Sequence, residues 1–219
     1  MIPAFPVYIF DVDGTLVDSP RDICGAIQEV LISRGRAGVS DAFLRRYIGR
    51  HLLELFLDLD FPREAIDEMI ADYRRLYWGR EHTMTAVYPC VADTLAQLGG
   101  RKSTATTKST PTTRGMLEKF GLITYFDHVQ GTDGFPAKPE PDVLFKSLEV
   151  FGVRPEDCLL VGDAPSDMEA GRRAGIRTCA VRYGYGDLEE MARWQPDYWI
   201  DEPRELLVDR GTIATGYDG

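Results

Sequence analysis

The pattern of apolar and polar residues changes in character along the chain. From residue 87 onward, short apolar runs alternate with segments of helical periodicity. The run CLLVG at 158–162 is continuously apolar, as expected of a parallel strand buried on both faces, and TCAV at 178–181 predicts another. VYIF at 7–10 predicts the first strand, and weaker strands are predicted at 103–106 and 127–131. This alternation predicts an α/β fold, with a parallel sheet covered by helices on both faces.

Terminal signals predict where the intervening helices begin. The first of them is predicted to have Thr110 as its N-cap and Pro111 as its first helical residue. The segment 141–152 is predicted to form the next helix. A capping box between Ser166 and Glu169 is predicted to start the helix after CLLVG.

The stretch from about Pro20 to Ala86 contains no convincing strand, and segments of it have the apolar spacing of helices. We therefore predict a helical cap domain of residues 18–86, inserted into a Rossmann-like core of residues 1–17 and 87–219. The polar tail at 209–219 is predicted to be loosely held. The aromatic residues of the insertion are interpreted as the core of the cap: Phe56, Phe61, Tyr73, Tyr77 and Trp78.

Composition narrows the range of partners. The 219 residues carry a formal net charge of −10, which argues against a nucleic-acid or anionic-membrane partner. No apolar run reaches transmembrane length. The four cysteines and three histidines are scattered without zinc-ligand spacing. We expect a cytoplasmic protein with reduced cysteines, either a monomer or a homodimer.

Polar side chains follow the predicted strands at the points where they end. Ligands of open α/β sheets bind beyond the carboxyl ends of the strands, so these side chains are predicted to meet on one rim. Crowded carboxylates form a hard oxygen site suited to Mg²⁺, whereas hydroxyl and ammonium groups suit a phosphate. A carboxylate at such a site can attack phosphorus, and a second carboxylate can transfer the proton. The residues concerned are Asp11, Asp13, Thr106, Thr107, Lys108, Lys138, Asp163 and Asp167.

Four segments resemble the motifs of a known family in order and in approximate spacing. They are DVDGTLVDS at 11–19, TTK at 106–108, KPEPD at 138–142 and GDAPSD at 162–167. From Val7 to about Leu207 the chain is similar to the haloacid dehalogenase-like hydrolases, in particular to their phosphoglycolate phosphatase-like branch. The resemblance implies a Rossmann-like core with a helical cap between the first two motifs. It also implies a Mg²⁺-dependent phosphomonoester hydrolase that forms an aspartyl-phosphate.

The resemblance implies a role for each matching residue. Asp11 resembles the nucleophile, and Asp13 resembles the general acid and base, whose backbone carbonyl also binds the metal. Lys138 matches the lysine that holds nucleophile and phosphate together. Asp163 matches a direct metal ligand, and Asp167 is similar to an acid that binds metal through water or orients Lys138.

The remaining matches concern phosphate and substrate. Thr106 matches the phosphate-binding residue, with Thr107 as the alternative if the register shifts by one. Gly14 and Thr15 belong to the turn whose amides approach the phosphate. Arg50 lies in the turn where relatives place a substrate-specificity loop, and an arginine there can hold a carboxylate such as that of phosphoglycolate.

Two features depart from the family pattern. The second strand is unusually polar, so its buried serine and threonine must find hydrogen-bond partners. Cys90 occupies a position where the family usually has glycine, which alters the turn beside the cap.

Several alternatives remain open at this stage. The substrate can be a sugar phosphate, a nucleoside monophosphate or pyrophosphate, and a sugar-phosphate mutase shares the fold. A phosphonate-cleaving enzyme requires a cap lysine, and residues 20–86 contain none. A phospho-accepting receiver domain is disfavoured because its acceptor follows the third strand, and a binding protein without activity because every catalytic position is filled.

Overall fold

The computed structural model describes residues 2–207, so the predicted loose tail at 209–219 lies outside the described residues. A five-stranded parallel sheet in the order β4-β1-β5-β6-β7 lies at the centre, and β2 and β3 form a separate antiparallel ribbon. The strands are β1 (Val7–Phe10), β2 (Val17–Asp18), β3 (Ala86–Val87), β4 (Arg101–Thr104), β5 (Cys158–Gly162), β6 (Arg177–Val181) and β7 (Tyr198–Ile200).

Helices fall into two groups along the chain. Four of them lie between β2 and β3 and are called the cap below: α1 (Pro20–Ser33), α2 (Asp41–Arg45), α3 (Leu52–Asp58) and α4 (Arg63–Gly79). The others connect the strands of the sheet: α5 (Val91–Gln97), α6 (Thr110–Lys119), α7 (Asp142–Phe151), α8 (Pro165–Ala174) and α9 (Leu188–Arg193). Within residues 2–207, no helix is long and apolar enough to cross a membrane.

The two most apolar strands occupy the inside of the sheet. Every residue of β1 and β5 is buried, and these strands pair with each other in register from Val7 opposite Cys158 to Phe10 opposite Val161. Such runs suit a strand that is covered on both faces. The predicted fold class, a Rossmann-like parallel sheet with an inserted helical cap, is confirmed.

Two strand predictions need correction. The second strand of the sheet, β4, runs over Arg101–Thr104 rather than 103–106, because its register is set by pairing with β1 from Val7 onward. The predicted strand at 127–131 is wrong. Only one bridge forms there, between Ser103 and His128, because the backbone amides of Asp127 and His128 both donate to the carbonyl of Lys102.

Two predicted helix starts also need correction. Ser109, not Thr110, caps α6, because the Thr110 hydroxyl accepts from the Gly131 amide instead. The capping box between Ser166 and Glu169 is wrong. Helix α8 begins at Pro165, and the Asp167 carboxylate accepts from the Ala164 amide at 3.0 Å.

The polar side chains of β4 have the partners that their burial requires. The Ser103 hydroxyl lies 2.8 Å from the Ser147 hydroxyl of α7. The Thr104 hydroxyl donates to the carbonyl of Gln130 and accepts from its amide, both at 2.9 Å. A polar strand is therefore stable at this edge because neighbouring segments satisfy its hydroxyl groups.

The cap joins the core through the two-stranded ribbon. Val17 pairs with Val87 and Asp18 with Ala86, so both chain crossings lie side by side. The predicted division at 17/18 and 86/87 falls in this ribbon and stays a prediction. Cap aromatic residues differ in burial: Phe56 and Tyr77 are buried as expected, whereas Trp78 is 56% exposed and lies over Gly115 of α6.

Candidate functional site

The loop after β1 brings two aspartates to the rim of the sheet. The Asp11 amide still donates to the Val161 carbonyl at 2.9 Å, which fixes Asp11 at the end of the strand. Asp11 and Asp13 are both buried. Gly14 has φ +88°, and a Cβ atom there would overlap the Asp163 carboxylate. Glycine is therefore required at this turn, because both the backbone conformation and the close approach exclude a side chain.

Lys138 joins three of the elements that meet at the rim. Its buried Nζ donates to Asp11 Oδ1 at 2.8 Å, to Asp167 Oδ1 at 2.5 Å and to the Ala105 carbonyl at 2.7 Å. All three ammonium hydrogens therefore have acceptors. Burial lowers the pKa of Lys138, but the two carboxylates outweigh burial and hold its pKa above the usual value.

A buried acidic cluster surrounds this lysine. Oxygen atoms of Asp11, Asp163 and Asp167 lie within 4.8 Å of one another. Burial raises the pKa of Asp11 to about 7 and also raises the pKa of Asp163 well above its usual value. One ammonium group thus leaves buried negative charge uncompensated. An all-oxygen, acidic donor set of this kind fits a hard divalent cation.

The Asp163 carboxylate is oriented by groups from two other loops. Thr15 Oγ1 donates to Asp163 Oδ1 at 3.2 Å, and the Tyr185 amide donates to Oδ2 at 2.9 Å. The Tyr185 hydroxyl also accepts from the Ser19 amide at 2.8 Å, where the chain leaves for the cap. The segment 183–186 thus contacts both Asp163 and the start of the cap.

Both oxygens of the Asp13 carboxylate are engaged. Ser19 Oγ donates to Oδ1 and Lys108 Nζ donates to Oδ2, each at 2.5 Å. Burial lowers the pKa of Lys108, but the facing Asp13 carboxylate outweighs it and raises the pKa above its usual value. The sequence analysis placed Lys108 on the rim without a role and included Ser19 in the first motif without a role. The sequence feature that could have indicated a role for Lys108 is its position directly after Thr106 and Thr107.

The two threonines after β4 face different surroundings. Thr106 is buried, and its hydroxyl accepts from the Lys108 amide at 3.3 Å. Its carbonyl accepts from the Thr132 hydroxyl at 2.9 Å. Thr107 is half-buried and lines a cavity beside Asp13. The structure thus places both candidate phosphate ligands in the loop that leads to α6.

A cavity of about 80 Å³ lies between this loop and the cap. Asp13 and Lys108 line its core side, and Arg50, His51 and Arg74 contribute basic side chains from the cap side. Burial, followed by the neighbouring Arg74 guanidinium, lowers the pKa of His51. Nothing in its sequence context singles out Arg74. The cavity is small, and basic side chains line it. The acidic side chain in its wall, Asp13, is paired with Lys108.

Arg50 is already engaged with two carboxylates. Its guanidinium lies 3.4 Å from Glu190 on α9 and 3.9 Å from Glu54 on α3, and its side chain is 41% exposed. The turn before it also contacts the core, since Ser166 Oγ donates to the Gly49 carbonyl at 3.3 Å. Arg50 thus bridges the cap to the core at the mouth of the cavity.

Comparison with known proteins gives one consistent result. The sequence profile of the haloacid dehalogenase-like hydrolases matches residues 8–181. A phosphoglycolate phosphatase of Aquifex aeolicus is 34% identical over 208 residues, which cover 92% of this chain and 94% of the relative. Phosphoglycolate phosphatase 1 of Pseudomonas aeruginosa is 35% identical over 211 residues, with coverage of 91% and 77%. A solved haloacid dehalogenase-like family hydrolase from Streptococcus pneumoniae has a TM-score of 0.85 at 28% identity, with coverage of 92% and 96%.

Proposed function

This chain belongs to the haloacid dehalogenase-like hydrolases, and we propose that it is a Mg²⁺-dependent phosphomonoester hydrolase with 2-phosphoglycolate as its preferred substrate. The observation that carries the proposal is the buried cluster of Asp11, Asp163, Asp167 and Lys138, with Asp13 beside it. This cluster combines a carboxylate nucleophile with a cation site and a second acid. The relatives named phosphoglycolate phosphatase support the choice of substrate.

In the proposed reaction Asp11 attacks the phosphorus atom of the ester. The bond between phosphorus and the ester oxygen breaks, and Asp13 gives its proton to that oxygen, so the alcohol leaves. Asp13 then takes a proton from a water molecule as this water attacks the aspartyl-phosphate. The second step releases inorganic phosphate and restores the Asp11 carboxylate.

The remaining residues hold the reacting groups in place. Lys138 and the amides of the turn at Gly14 and Thr15 bind phosphate oxygens, and Thr106 or Thr107 adds a hydroxyl donor. Asp11, Asp163, Asp167 and the Asp13 carbonyl would hold Mg²⁺. When bound, this cation neutralises negative charge on the phosphate and the carboxylates.

The cavity beside Asp13 supports a small anionic substrate. Its volume of about 80 Å³ is that of a small ligand such as a two-carbon acid. Its cap side carries Arg50 and Arg74, whose positive charges favour a substrate with a carboxylate, together with His51. We propose Arg50, which lines this cavity, as a specificity residue. The enzyme is proposed to be cytoplasmic, a monomer or a homodimer, with a small phosphorylated metabolite and no nucleic acid or membrane as its partner.

The first experiment measures phosphate release with and without Mg²⁺ from a panel of esters. The panel contains 2-phosphoglycolate, a hexose phosphate, a nucleoside monophosphate and pyrophosphate. We expect Mg²⁺-dependent turnover with the highest kcat/KM for 2-phosphoglycolate. Asp11→Asn is expected to abolish this turnover because the amide is not a nucleophile, whereas Asp67→Asn on the exposed face of α4 is expected to leave it unchanged.

The other results would change the proposal in specific ways. Turnover spread over the other esters would retain the mechanism and replace the substrate. No phosphate release from any ester would contradict the phosphatase, and a phosphorylated Asp11 that persists would then indicate a mutase.

A further inference from the structure

Lys108 differs from Lys138 in how its ammonium group is satisfied. Lys138 has three acceptors, whereas Asp13 Oδ2 is the one acceptor of Lys108 Nζ within residues 2–207. Two of the three ammonium hydrogens of Lys108 are thus available to a ligand. The Lys108 side chain is nevertheless only 10% exposed, and it lines the cavity beside Asp13.

On the side of the cap, the ammonium group of Lys108 contacts an aromatic ring. Lys108 Nζ lies 4.5 Å from the centre of the Tyr77 ring, on its face. Tyr77 is fixed in turn, since its hydroxyl contacts the Met116 sulfur of α6 at 3.3 Å and its ring stacks on Tyr73. An aromatic face attracts a cation and accepts no classical hydrogen bond in this arrangement, so the ammonium is positioned without being saturated.

We propose that Lys108 binds the carboxylate of the substrate's leaving group and thereby selects phosphate esters whose alcohol carries a carboxylate next to the ester oxygen. The inference rests on the proposed function, in which Asp13 faces the ester oxygen. In such an ester one carbon separates that oxygen from the carboxylate. A substrate carboxylate therefore comes within reach of Lys108, whose Nζ lies 2.5 Å from Asp13 Oδ2.

The other basic residues of the cavity are less well placed for this contact. The Arg50 guanidinium already lies near Glu190 and Glu54 and is 41% exposed, so a substrate must compete with these carboxylates and with water. His51 Nδ1 accepts from the Leu53 amide at 3.1 Å, which leaves one ring nitrogen for a ligand. Among the basic residues that line the cavity, Arg74 included, Lys108 is the one that donates to Asp13.

Binding of the carboxylate exchanges one ion pair for another. Lys108 moves its hydrogen bond from Asp13 to the substrate, and Asp13 Oδ2 is then free to face the ester oxygen. An ester with a neutral group at this position offers no replacement anion, so Lys108 stays on Asp13 and holds Asp13 Oδ2 away from the ester oxygen. A site built around a polar contact discriminates strongly against ligands that lack the partner.

The test compares 2-phosphoglycolate with its carboxamide analogue, 2-phosphoglycolamide, which has nearly the same shape without the charge. For each protein the measured quantity is the ratio of the two kcat/KM values. We expect the wild-type ratio to favour the carboxylate about 100-fold, and Lys108→Met to lower it to within about threefold of unity. Lys108→Arg is expected to restore part of the preference, because it restores the charge.

Two further variants serve as controls. Lys146→Met removes an exposed lysine that pairs with Glu149 on α7, and we expect it to keep the wild-type ratio. Arg50→Met tests the competing contact, and we expect it to lower the ratio by less than about fivefold.

Several results would overturn the inference. A ratio that Lys108→Met leaves unchanged, with both kcat/KM values falling together, would show that Lys108 serves Asp13 alone. Loss of the preference in Arg50→Met instead would assign the contact to the cap. The wild-type measurement is decisive even if Lys108→Met does not fold, because equal turnover of the two esters excludes carboxylate recognition. Hydrolysis of neither ester would instead contradict the proposed function itself.

Discussion

At the scale of single residues, burial controls the charge of the candidate site. Asp11 and Asp163 are buried, and the pKa of each is raised because burial disfavours the ionised form. Lys138 compensates part of this charge through its bonds to Asp11 and Asp167. In the metal-free protein at neutral pH, the negative charge of these buried carboxylates is therefore only partly compensated.

This uncompensated charge predicts that the effect of Mg²⁺ on thermal stability depends on pH. The folded pKa of Asp11 is about 7, above its unfolded value of about 3.9. Between these values the folded protein binds more protons, so the free energy of unfolding of the metal-free protein falls as the pH rises. The proposed Mg²⁺ would bind the ionised carboxylates, so we expect it to raise Tm more at about pH 8 than at about pH 6. Thermal denaturation with and without Mg²⁺ at both values measures this difference.

Asp11→Asn is the control for this prediction. The amide does not titrate, so the Mg²⁺-induced rise in Tm should be smaller at both pH values and less dependent on pH. A rise in wild-type Tm that is equal at the two pH values, or larger at about pH 6, would contradict the prediction.

The rim residues show what sequence could predict at this scale. Asp11 and Asp163 could be placed together because the ends of the parallel strands β1 and β5 meet at one edge, whatever the details of the loops. Lys138 was predicted there after a strand at 127–131 that does not form, so its place beside them depended on its match to the family motif. The contacts of Lys108 with Asp13 and Tyr77 could not be predicted. They depend on how the cap lies on the core and on the direction of one flexible side chain.

At the scale of elements, the turn before α5 carries an unusual residue. Cys90 has φ +66°, in the left-handed region where a side chain is disfavoured and glycine is not. The resemblance to the family places Cys90 where glycine is usual. The turn keeps its left-handed conformation, and the cysteine is strained within it.

Replacement of this cysteine by glycine should stabilise the protein. We expect Cys90→Gly to raise the free energy of unfolding by about 1 kcal/mol, since it relieves the left-handed strain. Urea unfolding of the variant and of the wild type measures the change. Cys90→Ala removes the thiol and keeps the Cβ atom, so no comparable gain is expected; an equal gain in Cys90→Ala would attribute the effect to the thiol.

Elements differed in how well sequence predicted them. The buried strand CLLVG was predicted within its observed bounds, because an unbroken apolar run leaves little choice. The strand β4 was displaced by two residues, and the strand at 127–131 did not form, because their pairing is decided by the register of β1 and not by their own side chains. The ribbon of β2 and β3 escaped detection because two residues per strand carry no periodicity.

At the scale of the whole molecule, the cap lies against the core at several points. Trp78 of α4 packs over Gly115 of α6, where an added Cβ atom would lie 2.9 Å from the indole ring. Tyr77 is beside it, in contact with Lys108. The contact between α4 and α6 therefore sets the position of the ring that faces the Lys108 ammonium.

Adding a single methyl group at this contact should lower activity without lowering stability. Gly115→Ala adds helix propensity worth about 1 kcal/mol but pushes Trp78 away from α6. We expect kcat/KM for 2-phosphoglycolate to fall about tenfold, because small misplacements at a closing site are costly, while Tm does not fall. Gly79→Ala at the end of α4 is the matched control, since its Cβ would meet nothing within 4 Å. Unchanged kcat/KM in Gly115→Ala would show that the contact is not coupled to turnover.

The ribbon of β2 and β3 has a consequence for the modular use of this fold. Residues 18 and 86 are antiparallel neighbours, so the two ends of the predicted cap insertion lie as close together as the ends of a hairpin loop. A different segment can take the place of the cap if its two ends lie equally close together, and the order of the sheet strands then stays the same. The junction thus allows one phosphate-handling scaffold to carry exchangeable recognition modules. Grafting another cap onto this core requires only two splice points, which are adjacent in space.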